Sequence, residues 1–131
     1  MNERELRIGN FIRYEGKGTF SVRMVSYNDI EGVWSDDGAV SSENDVPEKF
    51  AGIPIDEAWL KRLGFVDGKI HRFQFDMRVQ PFRTETQGVF PGEWEVTLLD
   101  SIPHSLHKRI HFIHQLQNLF FALTGEELTI K

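Results

Sequence analysis

Four histidines near the end of the chain are the side chains whose type and spacing best suit chemistry. His104, His107, His111 and His114 follow one another at spacings of three, four and three residues. If one helix begins at His104, the four imidazoles lie within an arc of roughly 80° on one helix face. Neutral imidazoles one turn apart can bind Zn²⁺ or Ni²⁺. One hypothesis is therefore a metal-dependent enzyme with His107, His111 and His114 as ligands.

Other features of the same segment argue against a metal site. Metal-bound histidines usually hold a carboxylate or carbonyl partner, and no carboxylate lies on this face. The H-E-x-x-H pattern of zinc proteases is absent, because 108–110 reads K-R-I between His107 and His111. Pro103 leaves the helix start anywhere from Ser101 to His111, and a late start separates the histidines. We therefore expect no metal, no cofactor and no catalytic residue.

The histidine segment leads into an amphipathic helix. Its apolar side chains recur at helical spacing, at Ile110, Ile113, Leu116, Phe120 and Leu123. The polar side chains on the opposite side include His111, His114, Gln115 and Asn118. We predict that the apolar stripe packs on a sheet, and these four polar residues are candidates for binding a partner. The alternative, which we favour, is that Gln117 and Asn118 tie the helix to loops of its own sheet.

Composition excludes several classes of protein. The chain has 131 residues, a formal net charge of −5 and no cysteine. It therefore has no disulfide framework, no thiolate metal site and no cysteine nucleophile. The sequence shows no signal peptide and no apolar run of membrane-spanning length. We expect a cytoplasmic protein without membrane contact.

Charge is unevenly distributed along the chain. Residues 1–57 carry six basic and twelve acidic side chains, whereas 58–131 carry nine and eight. The basic side chains cluster at Lys61, Arg62, Lys69, Arg72, Arg78 and Arg83. A nucleic acid would meet this cluster, in which Arg72 and Arg78 are candidate partner-binding residues. Strong binding to a phosphate backbone needs a clearly basic domain, so we expect a protein partner instead.

The first half has the pattern of a small β-structure. Short strands are predicted near 6–14, 19–26, 30–34 and 39–41, separated by turns at 15–18, 28–29 and 36–38. The order I-G-N-F-I-R-Y, a turn and then S-V-R-M-V-S resembles the opening of SH3-like small barrels. Residues 1–53 are therefore predicted to form a small β-barrel-like lobe.

The second half predicts a helix, an antiparallel β-meander and the tail helix. Asp56 is placed to cap a helix over Glu57–Leu63. Strands are predicted over 70–79 (one strand, or two joined near Asp76), 84–90 and 94–98, with a turn at Pro91-Gly92. A long C-terminal helix is expected to cover this sheet, and 128–130 to add a short edge strand. The predicted class is α+β, with lobes at 1–53 and 54–131 sharing one core.

Three sequence blocks resemble a family of small bacterial proteins from prophages and mobile elements. They are E-L-R-I-G-N at 5–10, P-I-x-x-x-W-L-x-x-L-G-F at 54–65, and H-Q-L-Q-N-L-F-F-A-L-T-G-E-E-L at 114–128. The resemblance implies a bacterial cytosolic protein and supplies no catalytic residues. Our hypothesis is a non-enzymatic accessory protein that binds a macromolecular partner, preferably a protein. Self-assembly through exposed aromatic residues such as Trp34 or Phe90 is a further alternative.

Overall fold

The computed structural model describes residues 6–14, 18–25, 30–34, 40–43, 50–72, 75–99 and 104–130. It is an α+β structure whose described elements form two antiparallel sheets and two helices. The chain divides into two compact units, Met1–Ile53 with Phe112–Leu128, and Pro54–His111 with Thr129–Lys131.

The first unit contains a five-stranded antiparallel sheet. Its strands are β1 (Phe11–Tyr14), β2 (Gly18–Val25), β3 (Ile30–Trp34), β4 (Val40–Glu43) and β5 (Phe50–Gly52), in the spatial order β4-β3-β2-β1-β5. Within the described residues β4 and β5 do not pair with each other, so the sheet is open and the closed SH3-like barrel is not confirmed. Of the predicted turns, 28–29 and 36–38 lie outside the described residues, as does most of 15–18.

Aromatic and aliphatic side chains fill the core of this unit. Ile12 and Phe20 are fully buried, and Trp34 packs edge-on against Phe20 with ring centroids 4.8 Å apart. Such aromatic pairs add to the free energy of apolar burial. Trp34 is therefore a core residue, and the expectation that it is exposed for self-assembly is wrong.

The second helix, α2 (Ile113–Thr124), belongs to the first unit. Ile113, Leu116 and Phe120 are fully buried, which confirms the apolar stripe. Gly125 ends the helix in the left-handed conformation at φ 76°, where its N–H donates to Phe121 O. The assignment of this helix to a lobe over 54–131 is corrected, because residues 112–128 group with 1–53. At twelve residues, it is also shorter than the long helix expected.

The second unit contains a six-residue helix and a four-stranded antiparallel sheet. Its elements are α1 (Glu57–Arg62), β6 (Lys69–His71), β7 (Asp76–Thr84), β8 (Gly88–Leu99) and β9 (His104–Ile110), with the sheet order β6-β7-β8-β9. Asp56 Oδ1 accepts a hydrogen bond of 2.8 Å from Trp59 N, which confirms the predicted cap. Buried Trp59, Leu60 and Leu63 form the apolar side of α1.

Three predicted boundaries in this unit differ from the structure. The turn between β7 and β8 lies at 85–87, and Pro91-Gly92 lies inside β8. The register shifts between Pro81 and Arg83, and Gly92 has a φ of 79°, so β8 bends there without reversing. The segment 104–110 is a strand, and residues 128–130 form no strand.

Candidate functional site

The structure separates the histidines that the sequence placed on one helix face. His104 and His107 belong to β9, and α2 begins only at Ile113. In a strand successive side chains alternate between the two sheet faces, so the helical arc does not exist. Among the described residues no three His, Asp or Glu side chains could hold a metal ion together. The side chains of His104 and His107 are not among those that the structure describes.

The remaining two histidines have opposite surroundings. His111 is exposed in the second unit, and its Nε2 lies 3.6 Å from Glu93 Oε1. His114 is fully buried in the first unit, where its ring stacks on Phe112 with centroids 5.8 Å apart. A fully buried side chain presents no surface to a partner of the folded chain. The prediction that His114 binds a partner is therefore corrected.

Gln117 is fully buried and joins α2 to both ends of the first unit. Its Oε1 accepts a hydrogen bond of 2.9 Å from Phe11 N. Its Nε2 donates to Gly9 O at 2.9 Å and to Leu128 O at 3.0 Å. One amide thus satisfies three backbone groups, which is the condition for burying a glutamine at low free-energy cost.

Asn118 completes this connection one residue later. Its Oδ1 accepts hydrogen bonds of 2.9 Å from Asn10 Nδ2 and from Arg7 Nη1. The Arg7 guanidinium also pairs with Glu127 and lies 4.0 Å above the ring centroid of Phe121. The polar side of α2 is therefore used within the first unit, as the alternative interpretation of Gln117 and Asn118 expected. These contacts join α2 to the five-stranded sheet of the first unit, because α2 belongs to the first unit.

Gln115, another predicted partner-binding residue, has a local structural role. Its Oε1 accepts a hydrogen bond of 3.2 Å from the backbone N–H of Phe112, at the start of α2. The first turn of a helix leaves N–H groups without intrahelical partners, and such contacts satisfy one of them.

The predicted basic cluster is spread over several elements of the second unit. Lys69 and Arg78 are cross-strand partners on β6 and β7. On β7, Arg78 alternates with buried Met77 and Val79, so it lies on the opposite sheet face from them. Lys61, in contrast, lines a cleft together with Val79. The cluster therefore does not form one continuous basic surface.

Of the three remaining arginines, Arg83 is exposed on β7 opposite Val89, and the other two make local contacts. Arg62 lies 4.3 Å from the ring centroid of Trp59, within cation–π distance. Arg72 Nη1 donates to the backbone oxygen of His71 at 2.6 Å. The same histidine pairs with Asp76, with 2.7 Å between Nδ1 and Oδ1. These side chains stabilise the surface of the second unit.

The site that the sequence did not predict is an open cleft of about 660 Å³ between α1 and the second sheet. Its lining includes Glu57, Leu60, Lys61, Phe65, Val66, Asp67, Gly68, Val79, Gln80, Pro81 and Trp94. A volume of this size lies within the usual range of roughly 300–1,000 Å³ for binding pockets.

Helix α1 is short compared with the longest strand of its unit. Six helical residues span about 9 Å, whereas the twelve residues of β8 span about 40 Å. Leu60 of α1 lines the cleft together with Val79, Pro81 and Trp94 of the sheet. In the sequence Trp94 alternates with Val96 and Leu98, which predicts its sheet face.

The rim of the cleft carries exposed apolar and charged side chains. Val66 is 72% exposed, Pro81 is exposed and Trp94 is partly exposed. Glu57, Lys61 and Asp67 supply two carboxylates and one ammonium group. An apolar floor with a charged rim can bind a partner, but it has no nucleophile paired with a base.

Comparison with protein-family models, with curated proteins and with solved structures finds no match. Within the described residues, neither helix has the length and apolar character needed to cross a bilayer.

Proposed function

We propose that this chain is a non-enzymatic accessory protein of a phage or mobile element, that it acts in the bacterial cytoplasm and that its partner is a protein. The phage or mobile-element context rests on the resemblance of the three sequence blocks. The binding role rests on the cleft of the second unit, which is the single observation that carries the proposal. The binding surface is the cleft, and the four polar residues of the tail are not part of this proposal.

The cleft has the make-up of a protein-binding hot spot. Partly exposed Trp94 lines the cleft together with buried Leu60, Phe65 and Val79, and tryptophan is among the residues most enriched in hot spots. Exposed Val66 and Pro81 extend the apolar surface to the rim. Burial of apolar area contributes about 25 cal/mol per Å², so a partner that covers these side chains gains free energy from desolvation.

Charge favours a protein partner over a nucleic acid. The rim has two carboxylates and one ammonium group, which repels a phosphate backbone on balance. The residues predicted as an anion-binding surface are divided between the cleft and the opposite sheet face. We therefore expect only weak binding to nonspecific DNA or RNA at physiological salt.

Site-specific photo-crosslinking in the source cells tests the proposal. A photoreactive residue in place of Lys61, on the cleft wall, is expected to form a covalent adduct with a different protein. The same group in place of Glu85, which is exposed in the β7–β8 turn and does not line the cleft, is the matched control. Val66→Asp is expected to abolish the adduct, whereas Val89→Asp is expected to retain it.

Three results would contradict the proposal. They are equal adducts from both positions, an adduct insensitive to Val66→Asp, and an adduct only with a second copy of this chain. The last result would support self-assembly instead. Val89 suits the control because it is also an exposed valine of the second unit, at 55%.

A further inference from the structure

We propose that the cleft of the second unit recognises a peptide segment in which an apolar side chain is flanked by lysine or arginine. This inference rests on the proposed function and specifies the chemistry of the partner. The apolar side chain enters the floor beside Trp94, and the basic side chain meets the carboxylates of Glu57 and Asp67.

The two rim carboxylates are available to such a cation. Within the described residues, neither Glu57 nor Asp67 takes part in an ion pair. Lys61 follows Glu57 by one helical turn on α1 and offsets part of its charge. Asp67 lies in the loop after the helix, and Lys61 is the one basic side chain among the described residues that line the cleft. A partly exposed indole also attracts a cation to its ring face, which adds to the carboxylate field.

The backbone holds Asp67 in a defined position. Val66 and Lys69 exchange two backbone hydrogen bonds, of 2.8 and 3.0 Å. Between them Asp67 and Gly68 both have positive φ, at 51° and 75°, as a type I′ turn requires. A Cβ on Gly68 would lie 2.8 Å from Val79 O, so the turn packs tightly against β7. The carboxylate is therefore presented at the rim by a rigid turn, which lowers the entropic cost of binding.

The edge of β7 explains why the partner binds through side chains instead of adding a strand. β6 pairs only with Asp76–Arg78, and the next contact on that side is the bond from Val79 N to Gly68 O. Beyond it, no described strand pairs with β7 on this side. Pro81 then has no N–H to donate, and the register shifts immediately after it. Addition of a strand needs successive backbone donors, so insertion of a side chain into the cleft is the mode that this edge permits.

Titration of the full-length ¹⁵N-labelled chain with three synthetic nonapeptides tests this inference by NMR. The peptides share a central Leu-Phe pair and differ only in flanking residues, which are Lys, Gln or Glu. The Lys-flanked peptide is expected to bind about five-fold more tightly than the Gln-flanked one, an effect of the size that exposed ion pairs give. Its chemical-shift changes are expected at Val66, Val79 and Trp94, and 0.5 M NaCl is expected to remove most of the preference.

Charge-neutral variants separate the two carboxylates from the apolar floor. Asp67→Asn keeps a residue tolerant of positive φ. It is expected to weaken binding of the Lys-flanked peptide about two- to three-fold and to leave binding of the Gln-flanked peptide unchanged. Glu57→Gln is expected to act in the same direction, and Glu85→Gln is the control without effect. The inference would be overturned if the Glu-flanked peptide bound as tightly as the Lys-flanked peptide or more tightly. Chemical-shift changes outside the cleft, or no binding of any peptide, would also overturn it.

The two proposals fail in different ways. A Val66-dependent adduct in cells, together with no preference for the Lys-flanked peptide, overturns this inference and leaves the proposed function standing. A Lys-flanked peptide that binds in the cleft, together with no Val66-dependent adduct, supports the recognition chemistry and contradicts the proposed function.

Discussion

The side-chain oxygen of Gln117 accepts a hydrogen bond from the backbone N–H of Phe11, across a sequence separation of 106 residues. The same side-chain amide joins α2 to Gly9, just before β1, and to Leu128. The sequence blocks at 5–10 and 114–128 are two of the three that resemble the bacterial family. The hydrogen bond from Gln117 Nε2 to Gly9 O joins them. The blocks therefore have a structural role in the first unit.

Replacement of the buried amide tests this role. Gln117→Leu removes the partners of Phe11 N, Gly9 O and Leu128 O, and each unsatisfied buried group costs about 1–3 kcal/mol. We expect a loss of about 3 kcal/mol in the free energy of unfolding of the first unit, measured by urea denaturation. Amide exchange at Phe11 should also accelerate. The control Gln87→Leu, at an exposed turn position, should change stability by less than about 0.5 kcal/mol, and a similar loss in both variants would contradict the account.

The turn at Gly68 supports a second prediction. Alanine at φ 75° with its Cβ 2.8 Å from Val79 O combines left-handed strain with a backbone clash. Gly92 has a similar φ of 79° and nothing within 4 Å of the added Cβ. Gly92→Ala should therefore cost about 1 kcal/mol and Gly68→Ala about 1–2 kcal/mol more. Equal thermal unfolding midpoints of the two variants would show that the turn is not packed against β7.

The cap of α1 gives a third prediction. Asp56→Ala removes the acceptor of Trp59 N and is expected to cost about 1 kcal/mol, whereas Asp56→Asn keeps an acceptor and should cost only a few tenths. Chemical denaturation followed by tryptophan fluorescence measures both. A larger loss for the asparagine variant than for the alanine variant would disprove the capping role.

Metal content provides a fourth prediction. Because α2 begins at Ile113, the histidines do not share a helix face, and we expect no stoichiometric Zn or Ni in protein purified without a histidine tag. Elemental analysis of the wild-type protein and of the double variant His107→Ala, His111→Ala measures this. A stoichiometric metal that the double variant loses would restore the enzyme hypothesis.

The sequence predicted those elements whose pattern is local. The cap at Asp56 and the helix after it follow from short-range chemistry, and α1 matches within one residue. The alternation around Met77 and Val79 likewise identifies a buried sheet face. The apolar stripe of α2 could be predicted, because helical periodicity alone determines which side chains face a core.

Features that depend on distant contacts could not be predicted in this way. Periodicity shows that α2 packs on a sheet but does not specify which sheet, and that choice depends on the hydrogen bonds of Gln117 and Asn118 to residues near position 10. The strand β9 was missed because 104–110 lies next to a helical pattern and contains no turn signal. The cleft was missed for a related reason, since its lining comes from α1, the turn after it, β7 and β8, which are distant in sequence.

Affinity for the crosslinked partner measures the central claim most directly. With that partner purified, the dissociation constant should rise about ten-fold or more in Val66→Asp, as expected for a charge placed in an interface hot spot. In Val89→Asp it should stay within about two-fold of the wild-type value. Equal dissociation constants for the two variants would contradict binding through the cleft.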